Sequence, residues 1–163
     1  MMRDIDHVVA GGAGGSAARF GDVFNPSTGQ VQARLALGGQ AVLDRAVAAA
    51  QAAQADWAAT NPQRRARVMF RFKELVEANL DSLAHLLASE HGKVVADAAG
   101  DVQRGLDVIE FSCGIPHALK GEYTQGAGPG IDVYSMRQPL GIVCGITPFN
   151  FPAMIPMWMF GPA

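Results

Sequence analysis

From Gln138 to Ala163 the chain carries no charged side chain, and no other stretch limits its possible folds as much. An apolar run longer than about 18 residues ordinarily raises the question of a membrane span. Here Pro139, Pro148, Pro152, Pro156 and Pro162 interrupt the run. Each proline removes a backbone donor and breaks a continuous helix unless neighbouring helices satisfy the freed carbonyls. The stretch is therefore expected to be buried in protein as three pieces: a strand over Gly141 to Ile146, a tight turn over Thr147 to Phe151, and a helix opened by Pro152 that is hydrophobic on every side. A turn at the carboxyl end of a sheet strand, leading into a helix, is where α/β proteins place ligands.

Upstream the hydrophobic period changes twice. Asn25-Pro26-Ser27-Thr28-Gly29 is a turn cluster between two strand-like runs, and after it Val31, Ala33, Leu35 and Leu37 alternate with Gln32, Arg34 and Ala36. That pattern predicts a hairpin with one buried face. From Ala41 to Ala59 the spacing becomes helical, with Leu43, Val47, Ala50, Ala53 and Trp57 on one side. Asn61 followed by Pro62 reads as an N-cap with proline in the first helical position, opening a helix through Val68, Phe72, Leu75 and Val76. A further helix fits Leu83, Leu86, Leu87 and Glu90 and is stopped by Gly92. A fourth carries Ala98, Val102, Leu106, Ile109 and Cys113 on one stripe before Gly114 and Pro116 end it, with Arg104 on the opposite face beside Asp97, Asp101 and Asp107. Gly121 to Gly130 holds four glycines and Pro129, with Gly126 to Gly130 read as a flexible turn and Ile131 to Arg137 as a strand. The order of hairpin, helices, strands and a last helix implies an α/β architecture, with residues 1–22 as a mobile leader ahead of it. The helices between Ala41 and Ala118 are expected to hold the better core.

Nearly half of the residues are hydrophobic, 17% are charged, and the net charge is -2. This balance suits a packed globular chain and gives no basic excess of the kind that nucleic acid or an anionic membrane surface attracts. The amino terminus has neither an apolar signal segment nor an Arg-rich transit pattern, so a cytoplasmic location is the expectation. Cys113 and Cys144 share no ligand spacing with each other or with His7, His85, His91 and His117, so no metal site is expected. Gly12-Ala13-Gly14-Gly15-Ser16-Ala17 formally matches the dinucleotide fingerprint G-x-G-x-x-A. It lacks the strand before and the helix after that such a loop requires.

Gly145-Ile146-Thr147-Pro148-Phe149-Asn150-Phe151-Pro152-Ala153-Met154-Ile155-Pro156-Met157-Trp158-Met159-Phe160 resembles the corresponding turn and helix of the aldehyde dehydrogenase superfamily, in its methylmalonate-semialdehyde dehydrogenase branch. So do the strings from Asp101 to Tyr123, from Val23 to Val31, and His91-Gly92-Lys93. The resemblance runs from about Val23 to Ala163. It implies the amino-terminal part of the aldehyde dehydrogenase fold: hairpin, helices, and the first strand and helix of an incomplete Rossmann-like NAD-binding domain over 23–163, with 121–138 as an oligomerisation strand region. It also implies that Asn150 donates its side-chain amide to the oxyanion formed when a cysteine attacks the aldehyde, as a fixed neutral donor suits a developing charge. Ile146, Thr147, Pro148 and Phe149 correspond to the segment lying against NAD. A semialdehyde with a free carboxylate calls for a cationic clamp, which the planar fork of arginine supplies, and Arg104, on a helix bordering the family's substrate channel, is the candidate. The other reading of Asn150 is a cap for the helix at Pro152, and that of Arg104 a solvated ion-pair partner.

An enzyme of this branch uses NAD and coenzyme A, oxidises methylmalonate or malonate semialdehyde to propanoyl-CoA or acetyl-CoA with release of CO2, and works as a homotetramer. Its nucleophilic cysteine belongs downstream of the residues present, at neither Cys113 nor Cys144, so the 163 residues alone are expected to be inactive. Two alternatives stand beside this reading: a non-acylating aldehyde dehydrogenase giving a free acid, and a non-catalytic assembly module. With the run from Gly141 incomplete, Met154, Ile155, Met157, Trp158, Met159 and Phe160 are expected to form an exposed apolar patch and Gly141 to Ile146 to lack most strand neighbours.

Overall fold

The computed structural model describes residues 3–14 and 17–163. Three strands form its first sheet, in the order β1 (Arg3–Ile5), β5 (Val31–Leu37), β4 (Arg19–Phe24). β4 and β5 are the expected hairpin, antiparallel with Arg19 opposite Leu37 and Phe24 opposite Val31. Asn25 closes its turn: its side chain accepts from the Ser27 N–H, and its carbonyl accepts from those of Thr28 and Gly29. The expectation of a leader over 1–22 lying outside the fold gives way here. Arg3, Asp4 and Ile5 pair in parallel with Ala33, Arg34 and Leu35, because β5 otherwise keeps an open edge of unpaired backbone groups. Arg34 forks onto the Asp4 carboxylate at 3.0 Å, across that pairing. Beyond β1, β2 (Val8–Val9) and β3 (Gly12–Ala13) make a short antiparallel ladder. The fingerprint-like string therefore begins in a strand and not in a phosphate loop, while its Gly15 and Ser16 lie outside the described residues.

The helices follow the periodic segments: α1 (Gln40–Ala59), α2 (Pro62–Ala78), α3 (Leu80–His91), α4 (Val95–Cys113) and the single turn α5 (Ile115–Ala118). Asn61 caps α2 as expected, its side chain accepting from the Gln63 N–H at 2.8 Å. Gly92 ends α3 in the left-handed region at φ +87°, and a Cβ there would lie 2.8 Å from Pro26. Its lack of a side chain thus both terminates the helix and lets the hairpin turn rest on it.

The core is built around α4, whose Ala98, Val102, Leu106 and Ile109 are buried together with Val76 of α2 and Ala84 and Leu87 of α3. Fully burying a residue such as Leu106 or Ile109 contributes about 1.5–3 kcal/mol, so α4 carries much of the stability of this layer. The expected role of α1 in the core is not met. None of its residues is buried, and Leu43 and Trp57 remain about half exposed, because the described elements offer no apolar surface opposite its stripe.

After α5 come β6 (Tyr123–Gly128) and β7 (Ile131–Tyr134), an antiparallel pair. The expected flexible glycine turn is thus mostly strand, with Pro129 and Gly130 alone left to turn the chain; Gly130, at φ +70°, supplies the left-handed step. The strand expected over Gly141 to Ile146 does not form. A strand exists only through its ladder partners, and among the described residues nothing pairs with this segment; Ile142, Val143 and Ile146 are exposed.

The last helix, α6 (Met154–Phe160), lies against α4. It corrects the expectation of a wholly exposed patch: Met154 and Met157 are buried, because Gly105 of α4 leaves room for the Met157 side chain. Trp158 and Phe160 do stay exposed, although Phe160 meets Phe72 edge to face at 6.1 Å and the Trp158 indole N–H donates to the Arg104 carbonyl at 3.3 Å. No helix among the described residues is long and apolar enough to cross a membrane.

Candidate active site

The turn from Ile146 to Ala153 is held by one buried carboxylate. Asp101 is fully buried on α4, whereas its sequence neighbourhood placed it on the solvent face with Asp97 and Asp107. Its position on the helix explains this, since it lies three residues after Ala98 and four before Gly105, within the stripe that faces the core. A buried charge must be paired and hydrogen-bonded. One oxygen of Asp101 accepts from the Met154 N–H at 2.7 Å, at the start of α6, and the other receives the Lys93 ammonium at 3.1 Å. The Lys93 ammonium also donates to the Asn150 carbonyl at 3.1 Å and stands 4.8 Å from the centre of the Phe151 ring, a cation over an aromatic face.

Asn150 therefore has its main chain held and its side chain free. Among the described residues its amide makes no hydrogen bond, and α6 starts at Met154 behind Ala153 without any side-chain cap. The alternative of Asn150 as a helix cap does not apply. Phe149 and Phe151, on either side of it, line separate cavities. The Phe149 side, about 360 Å³, is walled by apolar groups of α2, α3 and α6, among them Phe72, Val76, Leu83 and Phe160. The Phe149 ring lies 5.7 Å from that of His91. The Phe151 side, about 400 Å³, is the more polar of the two and is lined by Lys93, Ala96, Asp97, Gly100 and Arg104.

Arg104 is exposed on α4, and its guanidinium is in no ion pair among the described residues. Asp101 is committed to Lys93 and Met154, and Asp107 accepts from Gln103, while Asp97 lines the same cavity as Arg104 without pairing with it. Two cations, Lys93 and Arg104, thus border one cavity. Ile146 is 89% exposed and Phe149 61% exposed; with Thr147 and Pro148 they present a bare strip of mostly apolar surface leading to Asn150.

The thiols stand apart from this arrangement. Cys113 is buried, and burial pushes its pKa up against the opposing pull of Lys73, which makes it a poor nucleophile. Cys144 is exposed, with no hydrogen-bonded base among the described residues. Among the described residues, neither thiol thus has a base beside it that would activate it. Sequence reasoning missed Lys93 and Asp101 as the organisers of the site. An aspartate at core spacing on α4 was the available signal, and the Gly92-Lys93 step, which brings the ammonium back over the turn, was not legible from pattern alone.

The profile of the aldehyde dehydrogenase family matches residues 14–163. The chain is 45% identical over 159 residues to the malonate-semialdehyde dehydrogenase of Pseudomonas aeruginosa, covering 98% of this chain and 32% of that protein. It is 44% identical over 144 residues to the mitochondrial acylating methylmalonate-semialdehyde dehydrogenase of Arabidopsis thaliana, covering 88% of this chain and 24% of the relative. Among solved structures, one from Sinorhizobium meliloti 1021, described as a methylmalonate-semialdehyde dehydrogenase complexed with NAD, superposes with a TM-score of 0.95 at 56% identity, over 99% of this chain and 33% of that one. The chain spans about a quarter to a third of the length of these relatives.

Proposed function

This chain belongs to the aldehyde dehydrogenase family, and we propose that it is the amino-terminal third of an enzyme that oxidises malonate or methylmalonate semialdehyde with NAD and passes the acyl group to coenzyme A. The observation that carries the reading is Asn150: an unengaged amide on a turn whose backbone is fixed by a buried ion pair. A donor held in place before the reaction stabilises charge that develops in the transition state without reorganising.

In this account a cysteine supplied by the rest of the enzyme attacks the aldehyde carbon, the carbonyl oxygen becomes an oxyanion, and the Asn150 amide donates to it. NAD, when bound, would supply the hydride acceptor that takes this adduct to the thioester level. Ile146, Thr147, Pro148 and Phe149 form the wall that orients the cofactor and excludes water from one side. Arg104, facing the polar cavity together with Lys93, binds the substrate carboxylate. Since Lys93 is already engaged by Asp101, Arg104 is the cation free to fork onto it. Transfer of the thioester to coenzyme A, with loss of CO2, gives acetyl-CoA or propanoyl-CoA. The names of the Arabidopsis relative and of the Sinorhizobium structure support the acylating outcome and NAD respectively. The exposed β6–β7 hairpin, with Tyr123, Ile131, Val133 and Tyr134 open to solvent, suits a strand region used in assembly of a homo-oligomer, for which we propose a tetramer in the cytoplasm.

Incubating the complete enzyme with malonate semialdehyde, NAD and coenzyme A tests this. NADH and acetyl-CoA should appear together and depend on coenzyme A. NADH with free acid and no dependence on coenzyme A would reassign the enzyme to the hydrolytic class, and the absence of NADH would overturn the proposal. The 163 residues alone should give no NADH; turnover lost on Cys144→Ala would contradict the assignment of the nucleophile to another part of the enzyme.

A further inference from the structure

Resting on the reading of Asn150 as oxyanion donor, we propose that Lys93 and Asp101 are the positioning residues that set where its amide points. A buried ion pair is weak evidence for stability alone, since desolvation offsets much of the attraction, so what it contacts matters. Here its hydrogen bonds to other groups converge on one short segment. Asp101 accepts from the Met154 N–H, and Lys93 donates to the Asn150 carbonyl. The two ends of the span from residue 150 to residue 154 are thus tied to a single carboxylate that is fully buried on α4. The Phe151 ring, 4.8 Å from the ammonium, closes the space between them.

The consequence is geometric. With its carbonyl fixed, the Asn150 backbone can rotate little, so its side chain departs from a fixed Cα. Arg104 stands on the same helix, three residues beyond Asp101, so α4 carries both the anchor of the oxyanion donor and the cation facing the polar cavity. Lys93 reaches the turn from the far side of Gly92, which ends α3, and so couples the end of α3 to the site as well. Misplacing a catalytic group by about 1 Å can lower a rate on the order of a hundredfold, and loss of residues that orient reacting groups from behind typically lowers function about 10–100-fold where it has been measured at metal sites.

The test is a double-mutant cycle in the complete enzyme, with kcat and the NAD dissociation constant measured for each variant. Lys93→Met keeps the aliphatic stem but removes the donors. It should lower kcat by about 10–100-fold while leaving NAD affinity unchanged, and should lower it no further in an enzyme already carrying Asn150→Ala. A role in general stability would lower kcat by the same factor in both backgrounds. Multiplicative effects, or an unchanged kcat in Lys93→Met, would overturn the positioning role while leaving Asn150 as donor. An Asn150→Ala enzyme with undiminished kcat would instead overturn the donor reading on which the proposal rests. Should Lys93→Met not fold, the same cycle with Lys93→Arg, which keeps the charge but displaces the donor, should show the same coupling. An Arg variant whose loss persists undiminished beside Asn150→Ala, or that has no loss to couple, overturns the proposal.

Discussion

Replacing Gly105 with alanine tests whether α6 is seated on α4 as described. A Cβ at this position would overlap the Met157 methyl and lie 3.0 Å from its sulfur and 3.2 Å from its Cβ. The methyl and sulfur would have to find another place in a filled core, whereas the Met157 Cβ, which alanine would keep, has to give by only a few tenths of an ångström. Alanine gains about 0.5–1 kcal/mol over glycine in a helix interior, whereas overpacking a well-filled core costs about 1–3 kcal/mol. The expected net loss is therefore about 1 kcal/mol. Met157→Ala alone, which empties a buried site, should cost about 2–5 kcal/mol. In that background the two closest clashes are gone, and Gly105→Ala should become neutral or stabilising by up to about 1 kcal/mol. Urea unfolding of the four proteins followed by circular dichroism, with Trp158 fluorescence as a local probe of α6, gives the cycle directly. A Gly105→Ala protein more stable than the parent, or an equal penalty in both backgrounds, would refute this packing and with it the anchoring of the turn through Met154.

With its thiol buried and its pKa raised by burial, Cys113 should resist iodoacetamide at neutral pH, and Cys144 should react first; mass spectrometry showing equal rates would contradict the burial of Cys113. The Tyr123 hydroxyl donates to Asp132, which holds the Asp132 carboxyl below its ordinary value and pushes the Tyr123 phenol up. Because the folded carboxylate is the depressed one, this contribution to the β6–β7 hairpin is present above the usual carboxylate range and is lost as pH falls through the lowered value. Tyr123→Phe should move the Asp132 titration upward, as read by NMR, and an unmoved titration would mean the hydroxyl is not its partner. Arg104→Leu in the complete enzyme should raise KM for methylmalonate semialdehyde far more than for propanal, which lacks the carboxylate, by up to about 1.5–3 kcal/mol for a charge-assisted pair; equal changes would remove Arg104 from substrate binding.

What the sequence disclosed was what is decided locally. Asn61-Pro62 and Gly92 mark helix ends by capping chemistry within a few residues, and both stand where the pattern put them. The turn from Asn25 to Gly29 set the hairpin for the same reason. The parallel pairing of Arg3–Ile5 with Ala33–Leu35 left no such mark, since three residues pairing across some thirty intervening ones carry no turn or periodicity. Gly141 to Ile146 has strand composition without strand partners, and α1 has an amphipathic stripe without a surface to cover it. In both, pattern describes what a segment can do and not what stands opposite. In the site, Asn150 and the strip from Ile146 to Phe149 were named from resemblance alone. The Asp101–Lys93 pair that holds them emerged only when the fold placed an aspartate at core spacing against the turn.

The proposed role of the Asn150 amide at the oxyanion, and not at the cofactor, is decided by Asn150→Ala in the complete enzyme, with single-turnover NADH formation and equilibrium NAD binding measured on the same preparation. The rate should fall about 10²–10³-fold with the NAD dissociation constant unchanged. An undiminished rate beside weakened NAD binding would contradict this role and assign Asn150 to the cofactor.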